Sequence, residues 1–344
     1  MMVLPDCSIE TPRSIEEAVR LLHELKGAVP LAGGTGLVPA LKLGLLKPAC
    51  LVNLQRIPDW HQVDCSGAGV YLGPGARLAD VAAHPRIRAE LPALAAAAEA
   101  VGSPQLRNQG TVGGNLCLNT RCTFYDRTAW WRSAAQPCLK QGGDVCLAVP
   151  RSRRCHAVFA ADTPPALVAL GARVRLARWE GGRVVERETA LADIYRDDGV
   201  SWLALEAGEL ITRVVIPPHV SPGRRWSGFL KFRLRQSIDF PLASVSAVMR
   251  MADGIMKDVR VVLGGVASAP VVAWSAMEEL EGRELTEEVA ARVAQAAARA
   301  AHPVPNQAGT PGQRRLMVEV MTERLLQESA AELRAVSASG SQGA

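Results

Sequence analysis

Eight cysteines set the chemical question. Five of them, Cys117, Cys122, Cys138, Cys146 and Cys155, fall in one segment, while Cys7, Cys50 and Cys65 are scattered. In a reducing compartment such a cluster points to a metal site or redox chemistry rather than to a disulfide framework. From Cys122 onward the gaps hold fifteen, seven and eight residues. Four thiolates suit a [4Fe–4S] cluster or a structural zinc ion. Zinc sites favour ligand pairs separated by about two to four residues, and none of these gaps is that short. Wide gaps favour a loop wrapped around a larger cluster; zinc and free buried thiols are the other two readings. Cys117 follows Asn115 by two residues and is expected to be a buried thiol, so Cys122 opens the ligand set. Trp130 and Trp131 are expected either to shield the cluster from water or to pack in a core.

Glycine loops form the second group. Gly33-Gly34-Thr35-Gly36 lies between the apolar stretch 28–31 and a helical pattern over 37–45. Successive backbone N–H groups in such a loop make an anion-binding nest, and glycine lets the backbone approach a phosphate closely. The dinucleotide spacing G-x-G-x-x-G fails at Pro39, and no Gly-Lys-Ser/Thr of a P-loop follows. A tight strand-to-helix turn explains this loop alone equally well. A second loop, Gly110-Thr111-Val112-Gly113-Gly114-Asn115, and a third turn, Gly73-Pro74-Gly75, suggest one large charged ligand held from two sides. There is no Ser/His/Asp set, and the six histidines are dispersed.

The elements that must position these residues are mixed. A helix is expected over 15–25, strands over 28–31, 51–54 and 70–76, and helices over 78–83 and 91–101. The stretch 109–118 reads as Gly-rich and then extended, and from Ala166 short strands dominate. Pro217 to Gly223 is a dense run of breakers and marks a boundary. Three strands and three amphipathic helices follow, and a Ser/Gly/Ala-rich tail at 335–344 is expected to fray. The mixture lacks strict βαβ alternation, so the expected class is α+β. The 344 residues suit domains at 1–218, with the Cys-rich insert at about 117–156, and at 224–330. The net charge of +5 is too small to suggest a nucleic-acid binder, and 4% aromatics argue against a stacking platform for single strands. No apolar run reaches the roughly 18 residues of a membrane span, and MMVLPDCSIETP has no signal-peptide pattern, so a cytoplasmic protein is expected.

The ordered set Leu31-Ala32-Gly33-Gly34-Thr35, Val52-Asn53-Leu54, Leu72-Gly73-Pro74-Gly75-Ala76, Gln105 to Asn108 and Gly113-Gly114-Asn115 resembles the FAD-binding subunits of the molybdenum hydroxylases, the xanthine and carbon monoxide dehydrogenase family. The resemblance continues through Asp162, Pro165 to Leu167, Gly208 to Pro217, Lys231-Phe232-Arg233 and Leu263 to Ala267, so it covers about 1–330. It implies a two-lobed FAD-binding domain followed by a small α/β domain. It implies that Val29, Pro30, Leu31, Ala32, Gly33, Gly34, Thr35 and Gly36 cradle the FAD pyrophosphate, and that Gly110, Thr111, Val112, Gly113, Gly114 and Asn115 line the second side. Val101, Asp162 and Lys231 complete the implied flavin contacts. Gly36 departs from the acidic residue that family members often carry there.

Within the family, the insert with Cys122, Cys138, Cys146, Cys155 and Trp130-Trp131-Arg132 resembles that of the β subunits of 4-hydroxybenzoyl-CoA reductases. That resemblance implies an electron-transfer subunit, inactive alone. Its implied partners are a large molybdenum-cofactor subunit, a small subunit with two [2Fe–2S] clusters, and reduced ferredoxin, in a dimer of heterotrimers. The implied reaction is reductive dehydroxylation to benzoyl-CoA. The alternatives are the FAD subunit of an oxidising molybdenum hydroxylase acting on xanthine, nicotinate or aldehyde substrates, and a self-sufficient flavin enzyme.

Overall fold

The computed structural model describes residues 4–67, 69–218 and 223–340, with side chains to 333. Among the described residues, twelve strands form three sheets. The first is parallel, in the order β1-β3-β2, from β1 (Ser8–Glu10), β2 (Ala28–Leu31) and β3 (Cys50–Asn53). The helix Ile15–Glu24 connects β1 to β2; the Ser14 hydroxyl accepts from the Glu17 N–H at 3.0 Å and caps it. Pro30 sits in β2, an edge strand, where a missing N–H costs no ladder bond.

The second sheet runs β4-β5-β8-β6-β7 and is antiparallel throughout. Its strands are β4 (Val63–Asp64), β5 (Val70–Leu72), β6 (Arg173–Glu180), β7 (Arg183–Ala190) and β8 (Leu210–Ile216). Between β5 and β6 the chain inserts the helices Leu78–Ala83, Pro85–Glu90 and Pro92–Glu99, the second glycine loop and the cysteine segment.

The third sheet, β12-β11-β10-β9, comprises β9 (Arg224–Phe232), β10 (Ala243–Ala252), β11 (Ile255–Gly264) and β12 (Val271–Val272). Strand β10 is buried from Ala243 to Arg250. Such a continuous run needs cover on both faces. Helices Pro92–Glu99 and Thr163–Ala169 from the first part of the chain and helix Pro311–Gly340 from the last all contact this sheet. The architecture is α+β, as the sequence indicates.

Two local expectations are corrected. Residues 112–116 are helical, not extended. Thr111 caps this turn, and the Val112 and Gly113 N–H groups donate to Ala76 and Pro74 carbonyls, so outside partners hold a sequence of poor helix propensity. Thr163–Ala169 is a helix that the sequence reading did not place, at the start of the stretch expected to be dominated by short strands. Pro164 and Pro165 occupy its first turn, where N–H groups have no helical partner. The last helix continues to Gly340, across much of the expected tail; 341–344 and the breaker residues 219–222 lie outside the described residues. Among the described residues no helix is long and apolar enough to cross a membrane.

Candidate functional site

Three glycine turns, remote in sequence, interlock. A Cβ on Gly33 would be driven into the Gln109 carbonyl oxygen and would lie 3.1 Å from the Gly110 Cα. One on Gly113 would sit 2.7 Å from the Pro74 Cβ. Gly110 in turn faces the Thr35 hydroxyl. Contact this close between backbones is available only to glycine. Gly34 has φ +72°, the left-handed conformation that favours glycine. Among the described residues, no protein group accepts from the N–H groups of Gly34, Thr35 or Gly36. They form an open nest of donors at the end of β2, suited to an anion.

The cradle is wired to a buried ion pair. The Asn115 side-chain oxygen accepts from the Thr163 N–H at 3.1 Å and from its hydroxyl at 2.6 Å. This fixes the start of helix Thr163–Ala169 and therefore Asp162, just before it. Asp162 Oδ2 accepts from Lys231 Nζ of β9 at 2.8 Å, both side chains being 4% exposed. Lys231 also donates to the Ala100 carbonyl at 2.9 Å, next to the half-buried Val101. Asp162 Oδ1 is buried without a partner, and an orphaned buried acceptor needs a donor from elsewhere. The open nest and this orphaned oxygen fit a phosphate-bearing cofactor with ribityl hydroxyls.

Burial pushes the Asp162 carboxyl up to about 6 against the attraction of Lys231. The native state therefore keeps a proton between about pH 4 and 6 that the unfolded chain has lost. Stability from this group falls as pH rises through that window, a slope absent in Asp162→Asn. Lys231→Met removes that attraction and pushes the Asp162 carboxyl higher still, so it is expected to destabilise the full chain in denaturant unfolding at pH 7 and less so at pH 5, where the carboxyl is already protonated. Adding Asp162→Asn should recover most of the loss.

The cysteine segment closes on itself. Arg121 and Val158 exchange two backbone hydrogen bonds of 2.7 Å, bringing the ends of the insert together. Leu139 N–H donates to the Val145 carbonyl at 2.9 Å, which sets Cys138 beside Cys146. Cys122, Cys138, Cys146 and Cys155 consequently line one small cavity, with Tyr125 and Lys140. Cys117 is not among them; it ends helix Val112–Leu116 and packs against the main core. Cys7, Cys50 and Cys65 also lie elsewhere.

Among the described residues, no three Cys, His, Asp or Glu side chains converge closely enough to bind a single ion. A tetrahedral zinc ion needs all four sulfurs about 2.3 Å from one point. A [4Fe–4S] cluster, ligated at four different irons, spreads them wider. Burial pushes the Cys122 thiol up to about 12 and raises Cys155, so metal binding must displace protons. Lys140 lies in the cavity wall; burial pulls it down to about 8. Its ammonium donates to Asn119 Oδ1 at 2.8 Å, the Gly199 carbonyl at 2.7 Å, the Thr120 carbonyl at 3.1 Å and the Thr120 hydroxyl.

Arg132 Nη2 donates to the Gly44 carbonyl at 2.8 Å and the Tyr125 hydroxyl to Leu45 at 3.4 Å. The insert thus docks behind the helix Leu37–Lys42 that leaves the first glycine loop. Trp130 and Trp131 play neither expected part, being 79% and 36% exposed and absent from the cavity. Their helix, Ala129–Ser133, is too short and too peripheral to reach it. Lys140 was not singled out by sequence, its only signal being a basic residue lodged between two cysteines, and Arg132 entered only as part of the Trp130-Trp131-Arg132 run.

The open nest and the orphaned Asp162 oxygen together suit a large phosphate-bearing cofactor. Residues 5–219 match the family model for the FAD binding domain in molybdopterin dehydrogenase, and 229–329 that for the CO dehydrogenase flavoprotein C-terminal domain. The chain is 28% identical to the nicotine 6-hydroxylase medium subunit of Paenarthrobacter nicotinovorans, over 96% of this chain and 99% of that one. It is 36% identical to the aldehyde oxidoreductase FAD-binding subunit PaoB of Escherichia coli, over 74% and 79% of the two. A carbon monoxide dehydrogenase chain from Hydrogenophaga pseudoflava superposes with a TM-score of 0.78 at 25% identity, over 96% of this chain and 100% of that one. The chain belongs to the FAD-binding medium subunits of the molybdenum hydroxylase and CO dehydrogenase family.

Proposed function

We propose that this chain is the FAD-holding electron-transfer subunit of an oxidising molybdenum hydroxylase, with an aldehyde as the substrate class. The observation that carries the FAD role is the interlocked glycine cradle with its open N–H groups, joined through Asn115 and Thr163 to Asp162. The oxidising direction rests on relatives named as hydroxylase, dehydrogenase and oxidoreductase subunits, and the aldehyde class on the 36% identity to an aldehyde oxidoreductase subunit. These relatives shift the weight away from the reductase reading of the sequence. FAD, when bound, supplies exchange of one or two electrons. The chain's own residues would bind it: the nest takes the pyrophosphate, and Asp162 Oδ1 accepts from a cofactor hydroxyl. The substrate would be bound by a large molybdenum subunit, with a small [2Fe–2S] subunit between.

The four-cysteine cavity supports a [4Fe–4S] cluster on this chain and keeps a second reading open: reductive dehydroxylation of 4-hydroxybenzoyl-CoA with reduced ferredoxin. The purified complex decides between them. Aromatic aldehyde oxidation with a dye acceptor supports the first reading. Benzoyl-CoA formation from 4-hydroxybenzoyl-CoA with a low-potential donor, without aldehyde oxidation, overturns it. Turnover by the isolated chain refutes both.

No residue in the cradle offers an attachment chemistry to the flavin, so the FAD is expected to be non-covalent. Acid precipitation should leave one FAD per chain in the supernatant and a colourless pellet.

A further inference from the structure

Lys140 is a half-buried cation in the wall of the four-cysteine cavity; among the described residues no carboxylate lies within ion-pair distance of it, and Asp126 attracts its charge from farther away. Its partners suit an ammonium. Two backbone carbonyls, Asn119 Oδ1 and the Thr120 hydroxyl lie within hydrogen-bond reach of Nζ, enough acceptors for all three N–H groups of an ammonium. The rings of Trp202 and Tyr125, at 5.0 and 5.2 Å, favour the same charge. Partial burial opposes the charge of this ammonium, and an anion in the cavity would favour it. An iron–sulfur cluster held by four thiolates is such an anion.

We propose that Lys140 holds the charge balance of this cavity and sets the reduction potential of the cluster bound there. The inference rests on the reading of Cys122, Cys138, Cys146 and Cys155 as cluster ligands. Reduction makes such a cluster more negative, and a fixed positive charge at its edge stabilises the reduced form more than the oxidised one. Lys140 therefore raises the potential. It does so from a fixed position, because Asn119, Thr120 and Gly199 hold the ammonium at the cavity wall.

The test uses the full complex carrying wild type, Lys140→Met, Lys140→Gln or Lys140→Arg. Iron, acid-labile sulfide and FAD are counted per chain, and the cluster potential is read by redox titration followed by electron paramagnetic resonance. The Met and Gln variants are expected to titrate at more negative potentials, with Arg close to wild type and FAD unchanged in all. Loss of iron in Met and Gln, with retention in Arg, also supports the charge role. A wild-type potential in Met and Gln overturns it, as does an Arg variant displaced as far as they are. Loss of the cluster from all three variants marks Lys140 as a fold staple and overturns it too. Wild type that holds zinc or bare thiols, without iron and sulfide, overturns the cluster reading itself and this inference with it.

Discussion

Serine in place of Cys122, Cys138, Cys146 or Cys155 is expected to abolish the iron and acid-labile sulfide of the chain, one residue being enough. A hydroxyl is a harder and poorer ligand than a thiolate, and the four cysteines line a single cavity, so none has a substitute within it. Cys117→Ser is the internal control. That thiol lies at the end of helix Val112–Leu116, away from the cavity, and its replacement should leave iron and sulfide at wild-type levels. FAD should stay near one per chain in all five variants, since the cradle is built from other segments. Retained iron in Cys122→Ser with loss in Cys117→Ser would reverse the ligand assignment. Zinc without sulfide in the wild type would replace the cluster with a single ion.

The second large effect belongs to the glycine cradle. Gly33→Ala drives a methyl group into the Gln109 carbonyl and forces the two loops apart. Gly34→Val puts a β-branched residue at φ +72° beside Val38 and fills space at the nest. Each is expected to weaken FAD binding by at least about 100-fold, or roughly 3 kcal/mol. Gly67→Ala, where a Cβ meets nothing within 4 Å, should bind FAD as wild type does. Flavin fluorescence on titration of the FAD-free full chain reads the affinity. Circular dichroism of the same samples shows that the loss is local. Wild-type affinity in Gly33→Ala would show that the loop contact does not shape the site.

The same residues show how far the sequence reached. Local elements with strong patterns were legible from it: the capped helix at Ile15–Glu24, strand β8 at Leu210–Ile216, and the helices Trp274–Leu280 and Glu287–Ala300. Apolar periodicity and capping residues act within a few positions of one another, so a sequence displays them directly. The helices at Val112–Leu116 and Thr163–Ala169 were not legible. Glycines oppose helix propensity in the first, where the Ala76 and Pro74 carbonyls override them, and the second is a short apolar run whose start is fixed by the distant Asn115 side chain.

For the site, the sequence determined which chemistry is available. Four soft ligands lie in one segment, three glycine turns fall in order, and an aspartate and a lysine stand far apart. Only the tertiary structure decided what those residues form together. The Arg121–Val158 exchange closes the insert, the glycine turns meet face to face, and Lys231 of β9 reaches Asp162 across the domain boundary. It also decided against Trp130 and Trp131 as a shield and placed Lys140 in the cavity wall. The physical reason is range: a residue's type fixes what it can bind, but burial and contact between segments dozens of residues apart exist only once the chain has packed.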